Sequence, residues 1–183
     1  MKTLKQIIIT VLMAVTPLMA SAQVLQKASQ RLELAKVETE NGSFATTEIE
    51  VFKMNDDGSY WLSVGGLGVG TDIIQLKFDP VYELFIPLGN TLDEALNAMK
   101  ELQTYYKNPR RSAMEIQGCL AALYPNDQME TVTVTTRKFL TTKLLSFSVN
   151  RDELVRATYI SKADFGALVL SLKMYKKIHP KEK

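Results

Sequence analysis

The chain has 183 residues, 46% of them hydrophobic and 23% charged, with a formal net charge of +2, one cysteine and one histidine. A lone cysteine excludes an internal disulfide, and one cysteine with one histidine cannot furnish a zinc site. The near-neutral balance argues against nucleic acid or an anionic membrane as the partner of the molecule as a whole.

The opening MKTLKQIIITVLMAVTPLMASAQ reads as a secretory signal peptide over residues 1–22. Lys2 and Lys5 make a positive start, Ile7 to Val15 a short apolar run, and Ala20-Ser21-Ala22 a small-residue cleavage site before Gln23. The apolar run falls short of the roughly 20 residues that span a bilayer, and Pro17 interrupts it. With no cysteine near the cleavage site, a lipid anchor is not expected, and nothing later reads as a membrane span. A mature start at Gln after such a leader resembles uncharacterised exported proteins of Bacteroidetes-type bacteria. The resemblance covers the leader alone, and it implies a periplasmic or extracellular location.

The mature segment, 23–183, is expected to form one α+β domain of 161 residues with zero net charge. A chain of that length buries roughly two-thirds of its unfolded surface and needs no disulfide framework.

A first strand is expected near 30–39, followed by strands near 46–54, 59–66, 71–79 and 82–87 and a helix near 92–106. Thr91 with Glu94 makes a capping box at the helix start. Leu92, Ala95, Leu96, Met99 and Leu102 form its apolar stripe. The segment KNPRRS (107–112) leads to strands near 113–123, 129–139, 142–149 and 154–160 and a helix near 165–177, capped by Asp164 or Ser161. Phe165, Leu168, Val169, Leu172 and Tyr175 repeat the stripe. Ser112 with Glu115 also has the form of a capping box, so SAMEIQGCLAALYP is readable as helix; its match to the first half decides for a strand.

That match is an internal duplication. TDIIQLKF (71–78) aligns with TKLLSFSV (142–149), TEIEV (47–51) with AMEIQ (113–117), and the two helical stripes with each other. The predicted architecture is therefore two β-β-β-β-α repeats, about 46–107 and 113–178, related by pseudo-twofold symmetry, with antiparallel sheet packed against two helices. Ile74, Leu76 and Phe78, and likewise Leu145, Phe147 and Val149, alternate with polar residues, which is the pattern of sheet with one wet face.

The stretch VGGLGVGTD (64–72) looks like a phosphate loop, with Gly66, Gly68 and Gly70 alternating after Gly65. A dinucleotide loop needs a helix after its glycines, so that helix amides meet the phosphates. Here a strand follows, the lysine and hydroxyl pair of a P-loop is missing, and the matching TTRKFLT has no glycine. A kinked strand connection accounts for the glycines. Asn55-Asp56-Asp57-Gly58 fits a hairpin turn, because a calcium loop with Gly58 at its sixth position would begin at Lys53 and end at Val64. Cys119 needs a base to act as nucleophile, and the one histidine, His179, sits in a Lys-rich tail, so an inert buried thiol is expected. Tyr60 and Trp61 suit either core packing or a sugar platform. No spacing singles out a catalytic carboxylate pair.

Residues 46–107 carry four Lys/Arg against ten Asp/Glu, and residues 108–178 eleven against six, so the halves differ in sign. Complementary association, between halves or between molecules, is one consequence; drift of two solvated faces is the other. The reading that follows is an exported, non-enzymatic binding or structural protein of the cell envelope. Its partner would be a protein or a glycan, with no cofactor, no metal, no nucleic acid and no catalytic residue assigned. The alternative is a secreted hydrolase using carboxylates of the acidic half on a carbohydrate.

Overall fold

The computed structural model describes residues 30–41, 45–65, 83–121, 124–151 and 154–180. The leader, the strand expected at 71–79, and Gly66, Gly68 and Gly70 lie outside these residues.

The described elements are β1 (Arg31–Asn41), β2 (Ala45–Met54), β3 (Tyr60–Val64), β4 (Glu83–Gly89), α1 (Leu92–Thr104), a 3-10 turn (Tyr105–Lys107), β5 (Ala113–Ala121), β6 (Met129–Phe139), β7 (Thr142–Arg151), β8 (Leu154–Ser161) and α2 (Lys162–Ile178). The strands form one sheet in chain order, antiparallel at every step. β8 also touches β1, so the sheet curls. Both helices lie against its concave face: α1 on β3 and β4, α2 on β1, β2, β7 and β8, and the two against each other. The protein is thus α+β, with an antiparallel sheet and two helices.

Alternation builds the main core. Ile49, Val51, Leu62, Val64, Leu84, Ile86, Val132, Val134, Leu145, Phe147 and Val149 point inward and are buried. The helices close it with their stripes, Leu92, Ala95, Leu96, Met99 and Leu102 from α1 and Phe165, Leu168, Val169 and Leu172 from α2. Ser146 departs from the wet-face expectation: it is 2% exposed, paired across the ladder with Thr135 and Tyr159. The segment 113–121 is a strand. The Ser112 carbonyl accepts from the Thr136 amide at 2.9 Å, so the residue that would have capped a helix extends the β5–β6 ladder.

The caps are those the sequence implies. The Glu94 amide donates to Thr91 Oγ1 at 3.2 Å, and the Glu94 carboxylate accepts from the Thr91 amide at 3.2 Å. Ser161 caps α2, accepting from the Asp164 amide at 3.1 Å while its hydroxyl donates to Asp164 Oδ2 at 2.6 Å. Tyr106 ties the end of α1 to the start of α2, its hydroxyl donating to the carbonyls of Ile160 at 3.0 Å and Ser161 at 3.1 Å. Asp93 on α1 pairs with Lys176 on α2, which joins the acidic half to the basic one. Being exposed, such a pair contributes at most about 1 kcal/mol.

Candidate functional site

A β-bulge decides what gathers behind the main core. In β1 the pairing steps from Glu33–Phe52 to Ala35–Val51, which leaves Leu34 as an extra residue. An inserted residue reverses the faces of everything before it. Ala35 therefore points inward, whereas Arg31, also odd-numbered, points to the sheet's other face. The registers put Glu50 and Phe52 of β2, Ser63 of β3, and Glu83 and Phe85 of β4 on that same face.

Arg31 forms ion pairs with Glu50 and, at 3.5 Å, with Glu83. Its guanidinium carbon lies 4.5 Å from the centre of the Phe52 ring. Ser63 Oγ donates to Glu83 Oε2 at 2.8 Å. The side chains of Arg31, Glu50 and Glu83 are 6%, 8% and 12% exposed, so the cluster is closed to a substrate. Phe52, Met54, Phe85, Cys119 and Ala121 surround it as a second apolar cluster, with Trp61 and Tyr124 at the margin. Among the described residues the buried Tyr124 hydroxyl has no hydrogen-bond partner; burial pushes its pKa up, against an opposing pull from Arg31.

Beside this cluster the sheet splits. β4 pairs with β5 only at Glu83–Ala121, Leu84–Leu120 and Phe85–Cys119. Beyond that point the strands part around a cleft of about 200 Å³, lined by Ile86, Pro87 and Leu88 of β4, Ala98 and Leu102 of α1, and Met114, Ile116 and Gln117 of β5, with Glu101 at its rim. Successive residues of a strand turn their amides to opposite sides. The Gly65 amide donates to the Glu48 carbonyl, so odd residues of β3 face β2 and even ones face β4. The register then turns Phe85 and Pro87 toward β5. Ser112 bonds to β6, so Ala113, Glu115 and Gln117 turn their amides and carbonyls toward β4. The Phe85 carbonyl indeed lies on the Gly118 side, 2.9 Å from the place a Gly118 Cβ would occupy. Pro87 stands where the next ladder donor belongs and has no N–H. The proline therefore stops the ladder, and among the described residues no strand pairs with this side of β5 beyond it, where Gln117 lines the cleft.

The residues singled out from the sequence fall elsewhere. Cys119 is fully buried, accepts a hydrogen bond from the Asn126 amide at 3.4 Å, and is pushed up in pKa chiefly by that burial. His179 caps α2 and stacks on Tyr175 at 4.3 Å between ring centres. Asp56, Asp57 and Gly58 form the β2–β3 turn, with Gly58 at φ +73°. Asp57 accepts from the Ser59 hydroxyl at 2.6 Å and amide at 2.8 Å, which holds its carboxyl below the usual range. Tyr60 is buried in the main core. Trp61 lies half-buried on the opposite face, its indole N–H donating to Ser59 Oγ at 2.7 Å. The structure unites Glu50 and Glu83, which no sequence spacing indicated; the bulge that brings Arg31 to them has no sequence signature here. The cleft did have a signal in Pro87, a proline inside a strand run.

Among the described residues no group of three His, Cys, Asp or Glu is placed to hold a metal ion, and no helix is long and apolar enough to cross a membrane. The chain matches no protein-family model, no curated protein and no solved structure.

Proposed function

We propose that this protein is exported to the cell envelope and acts there as a non-enzymatic binding protein, taking an extended polypeptide segment into the cleft between β4, β5 and α1. One observation carries the reading: among the described residues no strand pairs with β5 on its β4 side beyond Cys119, the side to which Ala113, Glu115 and Gln117 turn their backbone groups, and Gln117 there lines the cleft. Such an edge adds a strand, with backbone bonds supplying affinity and side-chain pockets supplying specificity. Size favours a peptide over a small molecule. Small-molecule sites run to about 300–1,000 Å³, whereas a cavity of about 150 Å³ takes a single ring, so a cleft of about 200 Å³ suits one anchoring side chain.

The test is selection from a displayed library of extended peptides on the parent and on Gln117→Pro. That change removes an amide facing the cleft and none facing β6. Enrichment on the parent that is lost in the variant, at an unchanged melting temperature, supports strand addition; equal enrichment on both contradicts it.

The hydrolase reading draws on one observation, that Glu50 and Glu83 meet at Arg31. Their burial and their commitment to Arg31 and Ser63 weigh against it. Glycan hydrolysis by the parent that is abolished in Glu83→Gln would restore it.

Among the described residues the element order, four strands and a helix twice over, is also the order a duplication would leave. We infer that the copies run β1–β4–α1 and β5–β8–α2, with β1 as the first strand of its repeat rather than a preceding one.

A further inference from the structure

The β6–β7 hairpin ends in an arrangement that the fold does not require. Phe139 and Thr142 close the ladder, and Leu140 and Thr141 make the turn. Phe139 is 68% exposed and Leu140 82%. Leu140 also holds φ +52°, a left-handed conformation that glycine or asparagine occupies at far lower cost. A tip that keeps leucine there carries both backbone strain and an exposed apolar side chain. Strain of this kind points to function when the surroundings maintain it.

The surroundings are cationic. Arg137, Lys138 and Lys143 flank the tip and are exposed. The segment 105–112 lies alongside: the Arg111 amide donates to the Thr136 carbonyl at 2.8 Å, the Thr136 hydroxyl to the Tyr105 carbonyl at 3.3 Å, and Lys143 Nζ to the Tyr106 carbonyl at 2.8 Å. These contacts bring Lys107, Arg110 and Arg111 into the same surface. Residues 105–113 and 136–143 together hold six Lys/Arg and no Asp/Glu.

We infer that this hairpin tip docks the protein onto an anionic phospholipid bilayer, with Phe139 and Leu140 entering the interface and the six cations meeting lipid phosphates. An apolar wedge ringed by lysine and arginine matches a surface whose apolar layer lies beneath anionic headgroups. An acidic protein partner would use the cations but leave the wedge unexplained. A two-residue tip also offers little of the roughly 800 Å² per partner that a stable protein interface buries. The zero net charge of the mature segment does not oppose this, because screening confines the attraction to charges within about 10 Å of the surface.

The experiment is co-sedimentation of the purified protein with vesicles of phosphatidylcholine alone and of phosphatidylcholine mixed equally with phosphatidylglycerol. Binding is expected to the mixed vesicles only, weakening roughly fivefold for each of Arg137→Gln and Lys138→Gln. Leu140→Gly should abolish it while holding or raising the melting temperature, since glycine relieves the left-handed turn. In Phe139→Trp, the emission of the introduced tryptophan should shift to the blue on mixed vesicles. Binding that survives Leu140→Gly, an unmoved emission maximum in Phe139→Trp, equal binding to both vesicle types, or no vesicle binding alongside binding to polyglutamate would each overturn the inference; the last would assign the patch to an acidic polypeptide.

Discussion

The Phe85 carbonyl, at the last paired step of β4 and β5, lies 2.9 Å from where a Gly118 Cβ would stand. Val132 Cγ2 would lie 2.8 Å from the same atom. Both distances are shorter than real Cβ contacts, so glycine is what lets β4 and β5 close here before Pro87 parts them. Gly118→Ala should destabilise the protein by about 1–3 kcal/mol, as overpacking does. For a chain this size that lowers the melting temperature by several degrees, which calorimetry reads. An unchanged melting temperature would mean that the strands shift apart freely.

Arg31 pairs with Glu50 and Glu83 together, and both carboxylates are nearly closed to water. Removing one member of a buried ionic cluster leaves the others uncompensated, at a cost of about 3–5 kcal/mol. Arg31→Ala should reach that range in urea denaturation. Arg31→Lys should recover only part, because one ammonium cannot address two carboxylates as a guanidinium does.

Tyr106 joins the α1 end to the α2 start through two carbonyls. Tyr106→Phe removes the donor and should cost about 1–3 kcal/mol, the range for buried carbonyls left unsatisfied. Burial, with a smaller contribution from Asp164, raises its pKa strongly. The folded state therefore favours the protonated phenol. That contribution is intact below the ordinary tyrosine value near 10 and is lost as pH rises above it. Alkaline unfolding should consequently be shallower in Tyr106→Phe than in the parent.

Cys119 should resist labelling. Its burial raises the thiol pKa, so the reactive thiolate is scarce and its sulfur inaccessible. The sign is the same as for Tyr106: stability is complete below the ordinary thiol value near 8.5 and declines as pH rises through the folded one. A native-state thiol assay should report labelling only as fast as unfolding allows, and Cys119→Ser should leave peptide binding unchanged.

Much of this frame was readable from the residues. The inward alternation of Leu145, Phe147 and Val149, the stripes beginning at Leu92 and Phe165, and the Thr91–Glu94 box are local patterns whose physics does not depend on the rest of the chain. The company of Arg31 was not readable, because simple alternation along β1 places Arg31 on the face of Ala35, and only the bulge at Leu34 reverses it. Bulges follow from how two strands fit, and Glu50 and Glu83 reach Arg31 through pairings remote in sequence. Pro87 lay in plain view, but its meaning depends on which neighbour its missing N–H would face.

The strand-addition claim is tested most directly by amide hydrogen exchange along β5, followed residue by residue with and without a library-selected peptide. Ile116 and Gly118 face β6 and should be protected throughout. Glu115 and Gln117 turn their amides to the β4 side, where Gln117 lines the cleft, and should exchange fast in the free protein, then slow when the peptide binds. Equal protection of all four amides without peptide would show that the strand edge is already satisfied, and fast exchange of Glu115 and Gln117 that persists under saturating peptide would show that the ligand binds elsewhere; either result contradicts the account.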